Sequence, residues 1–335
     1  MPQNSSTSSS ETGWRRALGY LATAAASGLF LAAAIAVVNV LGARADLMSI
    51  PGSGLLHRQL AKLEGPEPID ILLVGDSSLG NTVIAEQWSE AMGETVVNAA
   101  LTGRYGYVGS RNMIRRALRR HQPRMIVLVQ TLDMATRKPS MEGDLLTAER
   151  WEDVELHRPW ELVEELASLD YLLAMGDTLL GRIRPRQEEM ERLDYVPQRE
   201  ELPSVAELLA KEDPLLVEDI SPEKLAALEE IGALCRENGI PCLYAHGPLL
   251  DTLCSRSVPF TSAVNREIAA RGFAVVPGTP VCLQPHEVGD QVDHPRESAR
   301  AALSALYRSM VLETAGDAPA TARLGSGGPG KVRRN

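Results

Sequence analysis

The stretch from Ala17 to Leu41, ALGYLATAAASGLFLAAAIAVVNVL, runs 25 residues without a charged side chain. A helix rises about 1.5 Å per residue, so this run exceeds a hydrocarbon layer of roughly 30 Å. It is expected to cross a membrane, because a soluble fold would have to cover every side of it with apolar partners. Arg15 and Arg16 stand just before it. Positive charge favours the cytoplasmic flank, which keeps residues 1–16 inside and sends the chain from about residue 45 onward to the extracytoplasmic, periplasmic side. Two export readings use the same residues: Ala43-Arg44-Ala45 has the small-x-small spacing of a signal-peptidase site, and Arg15-Arg16 has the pair of a twin-arginine signal. The run is longer than a signal peptide's apolar region of about 7–15 residues, which favours an uncleaved single-pass anchor over residues 17–41.

The remainder has the composition of a folded domain, since the chain is 44% hydrophobic and 23% charged. The formal net charge of -10 excludes an ordinary nucleic-acid binder, because phosphate recognition needs a basic patch and none stands outside the short ends. No Cys-x-x-Cys pair suggests a metal site. The glycine run Gly325-Ser326-Gly327-Gly328 lacks the preceding strand and following helix of a phosphate loop. No cofactor and no metal are therefore expected. Residues 1–13 and 315–335 read as flexible tails and residues 42–68 as a linker.

All four cysteines, Cys235, Cys242, Cys254 and Cys282, lie in the last third. An oxidising compartment permits disulfides among them. Cys235 and Cys242 sit in apolar segments and read as core residues, leaving Cys254 with Cys282 as the expected bridge.

From residue 69 the pattern alternates. Ile69 to Val74 is a short branched apolar run bounded by Pro68 and Gly75, the signature of a buried parallel strand. A helix is expected over 82–92, strands at Thr95–Asn98 and Met125–Val129, and a helix over 109–120 between them. Residues 140–220 break the rhythm with acidic, helix-favouring segments and read as a helical insertion whose charges face solvent. The rhythm resumes with a helix capped by Ser221, carrying Pro222 at its first position and running to Asn238. Strands at Ile240–Ala245 and Ala274–Val276 and a last helix over 296–312 follow. The expected fold class is α/β, a parallel-sheet three-layer αβα domain over 69–314 with a helical insertion, preceded by one transmembrane helix.

Gly75-Asp76-Ser77-Ser78 falls at the carboxyl end of the first expected strand, where open α/β sheets place ligands. A serine hydroxyl attacks only when a base removes its proton, so a histidine steered by a carboxylate must come from elsewhere in the chain. His294 stands in Asp290-Gln291-Val292-Asp293-His294-Pro295, just before the last helix, with two acids beside it. His246 ends a strand on the same side of the sheet. Asp76, Ser78, His246 and Asp293 are candidates for facing a substrate.

These blocks, with Asn98-Ala99-Ala100-Leu101-Thr102-Gly103 after the second strand, resemble the SGNH (GDSL-type) hydrolases in content and order across about residues 69–312. The resemblance implies an SGNH or flavodoxin-like sheet with Ser77 as nucleophile and His294 as base. It also implies an oxyanion hole built from the amides of Ser77 and Gly103. The family's third block, Gly-x-Asn-Asp, corresponds to Gln130-Thr131-Leu132-Asp133, so Thr131 or Gln130 takes the donor role or the two amides serve alone. The family's aspartate stands three residues before its histidine. Here Asp290 stands four before and Asp293 is adjacent, and Asp290 is the expected partner. Membrane-tethered relatives of this kind resemble proteins that add or remove acetyl groups on exported polysaccharides. The implied function is a serine esterase or O-acyltransferase on glycan esters, working beside envelope polysaccharide-modification proteins. The alternative is a catalytically impaired binding or scaffolding module of the same fold.

Overall fold

The computed structural model describes residues 8–44, 53–154, 195 and 202–317. The chain divides into two units, one holding the N-terminal helix and the other the sheet.

Helix α1, Ser8–Arg44, carries an apolar span, Trp14–Val38, long and apolar enough to cross a membrane. Leu21, Phe30 and Leu31 along it are exposed. Thr23 donates its hydroxyl to the Gly19 carbonyl, which satisfies that hydroxyl within the helix itself.

Residues expected to be a linker instead include a helix, α2 (Ser53–Glu64). Leu55, Leu56, Leu60 and Leu63 recur at helical spacing and are buried, which makes α2 part of the packed domain. The strand β1 (Ile71–Gly75) follows, then α3 (Ser77–Thr82), α4 (Ala85–Met92) and β2 (Val96–Ala100). Helix α4 stops at Gly93, whose φ of 66° is the left-handed conformation that glycine adopts without a side-chain penalty. Next come α5 (Gly106–Leu118) and β3 (Met125–Gln130). Of the expected insertion, α6 (Met141–Thr147) and α7 (Val205–Leu209) are described, together with 3₁₀ turns at Trp151–Asp153 and Val217–Asp219. The rest of it, apart from Tyr195, lies outside the described residues.

Helix α8 (Ala226–Glu237) begins five residues after Ser221, not at Pro222, because Leu225 N–H bonds back to the Ser221 and Pro222 carbonyls and closes a turn first. Then follow β4 (Cys242–His246), β5 (Leu249–Leu250), α9 (Asp251–Arg256), α10 (Val258–Ala270), β6 (Ala274–Val275), β7 (Cys282–Leu283) and α11 (Glu297–Asp317). Residues 315–317, expected in the tail, close this last helix.

The main sheet is parallel throughout, in the order β2-β1-β3-β4-β6. Alternate strand residues Ile71, Leu73, Val127, Val129, Leu243 and Ala245 form one buried cluster with Trp88 of α4 and Tyr307 and Val311 of α11. The opposite face meets the other helical layer, where Tyr107 of α5 and Tyr244 of β4 share a 2.9 Å hydrogen bond between their hydroxyls. Both faces being covered explains why the strands read as continuous apolar runs without alternation. The acids at the root of the insertion are not all solvated: Asp144 pairs with Arg111 of α5 at 2.6 Å with both side chains buried.

Two disulfides are present. Cys254 bonds Cys282, as expected, and Cys235 also bonds Cys242. The second pair was read as core residues, and both are indeed buried. Helix α8 ends just before β4 begins, however, so the two apolar segments bring their cysteines face to face.

Candidate functional site

The strand order reverses between β2 and β3, on either side of β1, so the carboxyl end of β1 lies at the topological switch point where such sheets leave a crevice. Gly75 ends that strand, and a Cβ there would sit 1.8 Å from the Val129 carbonyl oxygen, so only glycine allows β1 and β3 this close approach. Asp76 then caps α3: its Oδ1 accepts the Ser78 N–H at 2.9 Å and the Ser78 hydroxyl at 2.6 Å. Its Oδ2 accepts the Thr131 N–H at 2.9 Å, tying the loop after β1 to the loop after β3. Ser77 is left as the first residue of α3, partly exposed, between two buried neighbours.

The histidine arrives from the far end of the chain. Leu250 N–H bonds the Val292 carbonyl at 2.8 Å, and the Gly289 N–H bonds the His294 carbonyl at 2.7 Å. The second bond closes a turn over 289–294 that absorbs the extra residue between Asp290 and His294. Asp290 Oδ1 lies 3.0 Å from His294 Nδ1, and His294 Nε2 lies 3.0 Å from Ser77 Oγ. Ser77, His294 and Asp290 thus form one hydrogen-bonded series, with His294 wholly buried. Such a chain is what converts a serine hydroxyl into a nucleophile: one nitrogen takes the proton while the carboxylate fixes the tautomer of the other.

Burial works against a charged imidazole at His294, but the nearby Asp293 and the hydrogen-bonded Asp290 outweigh it and raise the pKa above the usual 6.5. Desolvation, reinforced by the Asp293 charge, pushes Asp76 up to about 6 despite its three donors. Asp293 is also raised, by burial first, with the His294 charge opposing.

The other candidates are placed differently. Ser78 is fully buried and spends its hydroxyl on Asp76, which is itself buried, so the two side chains are turned to each other. His246 is fully buried, bonded through Nε2 to Asn265 of α10 at 2.7 Å, and burial lowers its pKa to about 4. Gln130 points to α5, where its Nε2 donates to Ser110. The Thr131 amide is already engaged by Asp76, so it cannot donate to an oxyanion. Among the described residues, the N–H groups of Ser77 and Gly103 have no partner.

The chain matches no family model, no curated protein and no solved structure.

One residue beside the site escaped the sequence reading. Arg137 donates from Nε to Asp133 at 2.9 Å and from Nη1 to the Gly103 carbonyl at 3.2 Å. A Cβ on Gly103 would meet that guanidinium at 2.6 Å, so glycine is what lets the arginine lie across this turn. The signal was present as an acid and a base four apart just after a strand. Asp293, one of the candidates for facing a substrate, is buried and places its Oδ1 3.9 Å from His294 Nε2, on the side of the imidazole that meets Ser77. Among the described residues no group of three His, Cys, Asp or Glu side chains is arranged to hold a metal ion.

Proposed function

We propose that this chain is an extracytoplasmic SGNH-type serine acyl hydrolase or O-acyltransferase acting on acyl esters of an envelope or exported glycan. The observation that carries the reading is the series Ser77 Oγ, His294 Nε2 and Nδ1, and Asp290 Oδ1, with 3.0 Å at each step.

In the first half-reaction Ser77 Oγ bonds to the ester carbonyl carbon while its proton passes to His294 Nε2. The amides of Ser77 and Gly103 hold the oxyanion. The carbon–oxygen bond to the alcohol then breaks, and the alcohol leaves with the proton from Nε2, which yields an acyl-serine. In the second half a hydroxyl gives its proton to Nε2 as its oxygen bonds to the acyl carbon, the bond from that carbon to Ser77 Oγ breaks, and Nε2 returns the proton to Oγ. Water in that place makes the protein an esterase, and a sugar hydroxyl makes it a transferase.

The apolar span of α1, with Arg15 and Arg16 near its start, supports this location, with envelope polysaccharide-modification proteins as the expected partners. The two disulfides support an oxidising compartment. A fluorophosphonate probe is expected to label Ser77, and Ser77→Ala or His294→Ala to abolish turnover of a simple acetyl ester. A folded domain that the probe leaves untouched would sink the reading.

A second reading, a glycan-binding module with an impaired site, draws on the loop after β3: Leu132 is buried and the Thr131 amide is taken. Glycan binding that survives Ser77→Ala, without turnover by the unaltered protein, would favour it.

A further inference from the structure

Asp293 is 7% exposed, and among the described residues no donor from another residue reaches its carboxylate. Its own backbone N–H is the one donor that acts on it, which leaves most of the carboxylate's lone pairs unmet, and burying a carboxylate so poorly supplied is unfavourable, so its place beside Ser77 asks for a partner supplied from outside. Its Oδ1 lies 3.9 Å from His294 Nε2, the nitrogen that faces Ser77. Any alcohol leaving or attacking the acyl-serine must therefore place its oxygen at Nε2 and within a few ångströms of this carboxylate.

That alcohol has one hydroxyl proton, and it goes to Nε2. A donor for Asp293 must come from a second group on the same molecule, one bond or two away, as in the vicinal hydroxyls of a sugar. Asp133 and Arg137, from the loop after β3, are close enough to act electrostatically on Asp293, so its surroundings are polar and unlike an apolar acyl slot.

We propose that Asp293 is the residue that selects a polyol: it accepts a hydrogen bond from a free hydroxyl adjacent to the one that carries or receives the acyl group. This rests on the acyl-transfer reading above. It adds that the alcohol half of the ester, not only its acyl half, is recognised. The leaving and the attacking alcohol pass through the same position, so the selection applies to both directions of transfer.

The test uses the full chain in detergent and three substrates: a mono-O-acetylated methyl xyloside with a free neighbouring hydroxyl, ethyl acetate and acetylcholine. Fluorophosphonate labelling of Ser77 is measured alongside. The unaltered protein is expected to favour the xyloside over ethyl acetate in kcat/KM, and Asp293→Asn to lower that ratio at least tenfold. Asp293→Asn removes the charge and Asp293→Ala the acceptor itself, so Asp293→Ala should lower it at least as far, and agreement between the two sets aside misfolding of one variant. Labelling of Ser77 with an unchanged ratio in both variants would overturn this inference while leaving the serine reading intact. So would a preference for acetylcholine over the xyloside that Asp293→Asn removes, because the carboxylate would then be recognising a cation. Failure of labelling in the unaltered protein would overturn the serine reading, and this inference with it.

Discussion

Asp290 Oδ1 accepts from His294 Nδ1, four residues on, at 3.0 Å, leaving Nε2 without its hydrogen and free to face Ser77. The carboxylate therefore fixes which imidazole nitrogen can act as base. Asparagine at 290 would present either an oxygen or an amide to Nδ1, and the second choice selects the wrong tautomer. Asp290→Asn is expected to lower kcat on an acetyl ester on the order of 10³-fold or more with little change in melting temperature. A loss below tenfold would remove Asp290 from the mechanism.

The raised pKa of His294 sets the acid limb of the rate profile. Below it the imidazolium cannot take the Ser77 proton, so kcat/KM is expected to rise with pH through a group titrating above the usual 6.5. Stability runs the other way: the folded value lies above the unfolded one, so the stabilisation is complete below about pH 6.5 and is lost as pH rises through the folded value. Asp293 is the leading charge that raises the imidazole, so Asp293→Asn should shift the acid limb to lower pH. A limb that stays in place would show that Asp290 alone sets it.

The Asp76 carboxylate accepts three hydrogen bonds and donates none. In Asp76→Asn one of those donors faces an amide NH₂ instead of an oxygen. With Oδ1 kept for Ser78, the loser is the Thr131 N–H, and the loop after β3 comes away from the loop that carries Ser77. An unsatisfied buried donor costs about 1–3 kcal/mol, so the melting temperature should fall by several degrees. Thermal unfolding at neutral pH checks this, and an unchanged midpoint would mean that the loops are held by other contacts.

The sheet was legible because its strands are short, branched and bounded by Pro or Gly, and parallel pairing between two helical layers leaves them apolar on both faces. The Ser77 and His294 blocks were legible because each follows or precedes a regular element whose ends can be read from sequence. The roles of Asp76, Ser78 and His246 were not: which way a side chain turns at the end of a strand depends on neighbours far off in the chain, here Thr131 and Asn265. The helix α2 was passed over because residues 53–64 follow a long apolar span, yet Leu56, Leu60 and Leu63 carry the helical spacing. The Cys235–Cys242 bridge was hidden by burial, since core cysteines and bonded cysteines share the same apolar surroundings.

The bridge between Cys254 and Cys282 ties α9 to β7 and closes a loop of 28 residues, whereas Cys235–Cys242 closes one of 7. By loop-closure entropy the first is worth about 3–4 kcal/mol and the second about 2 kcal/mol. Their positions relative to the site differ more than their sizes. β7 pairs with β5, Leu249 N–H bonds the Val281 carbonyl, and Leu250 N–H bonds Val292, two residues before His294. The Cys254–Cys282 bond therefore pins the strand pair from which the Asp290–His294 turn hangs, while Cys235–Cys242 joins α8 to the far end of β4. Replacing both members of the first pair by serine should lower the melting temperature and, at a temperature where the protein is still folded, also reduce kcat several-fold. Replacing the second pair should lower the melting temperature while leaving kcat close to that of the unaltered protein. Equal losses of kcat in the two variants at matched folded fraction would show that the turn is held by its own hydrogen bonds and not by the bridge behind it.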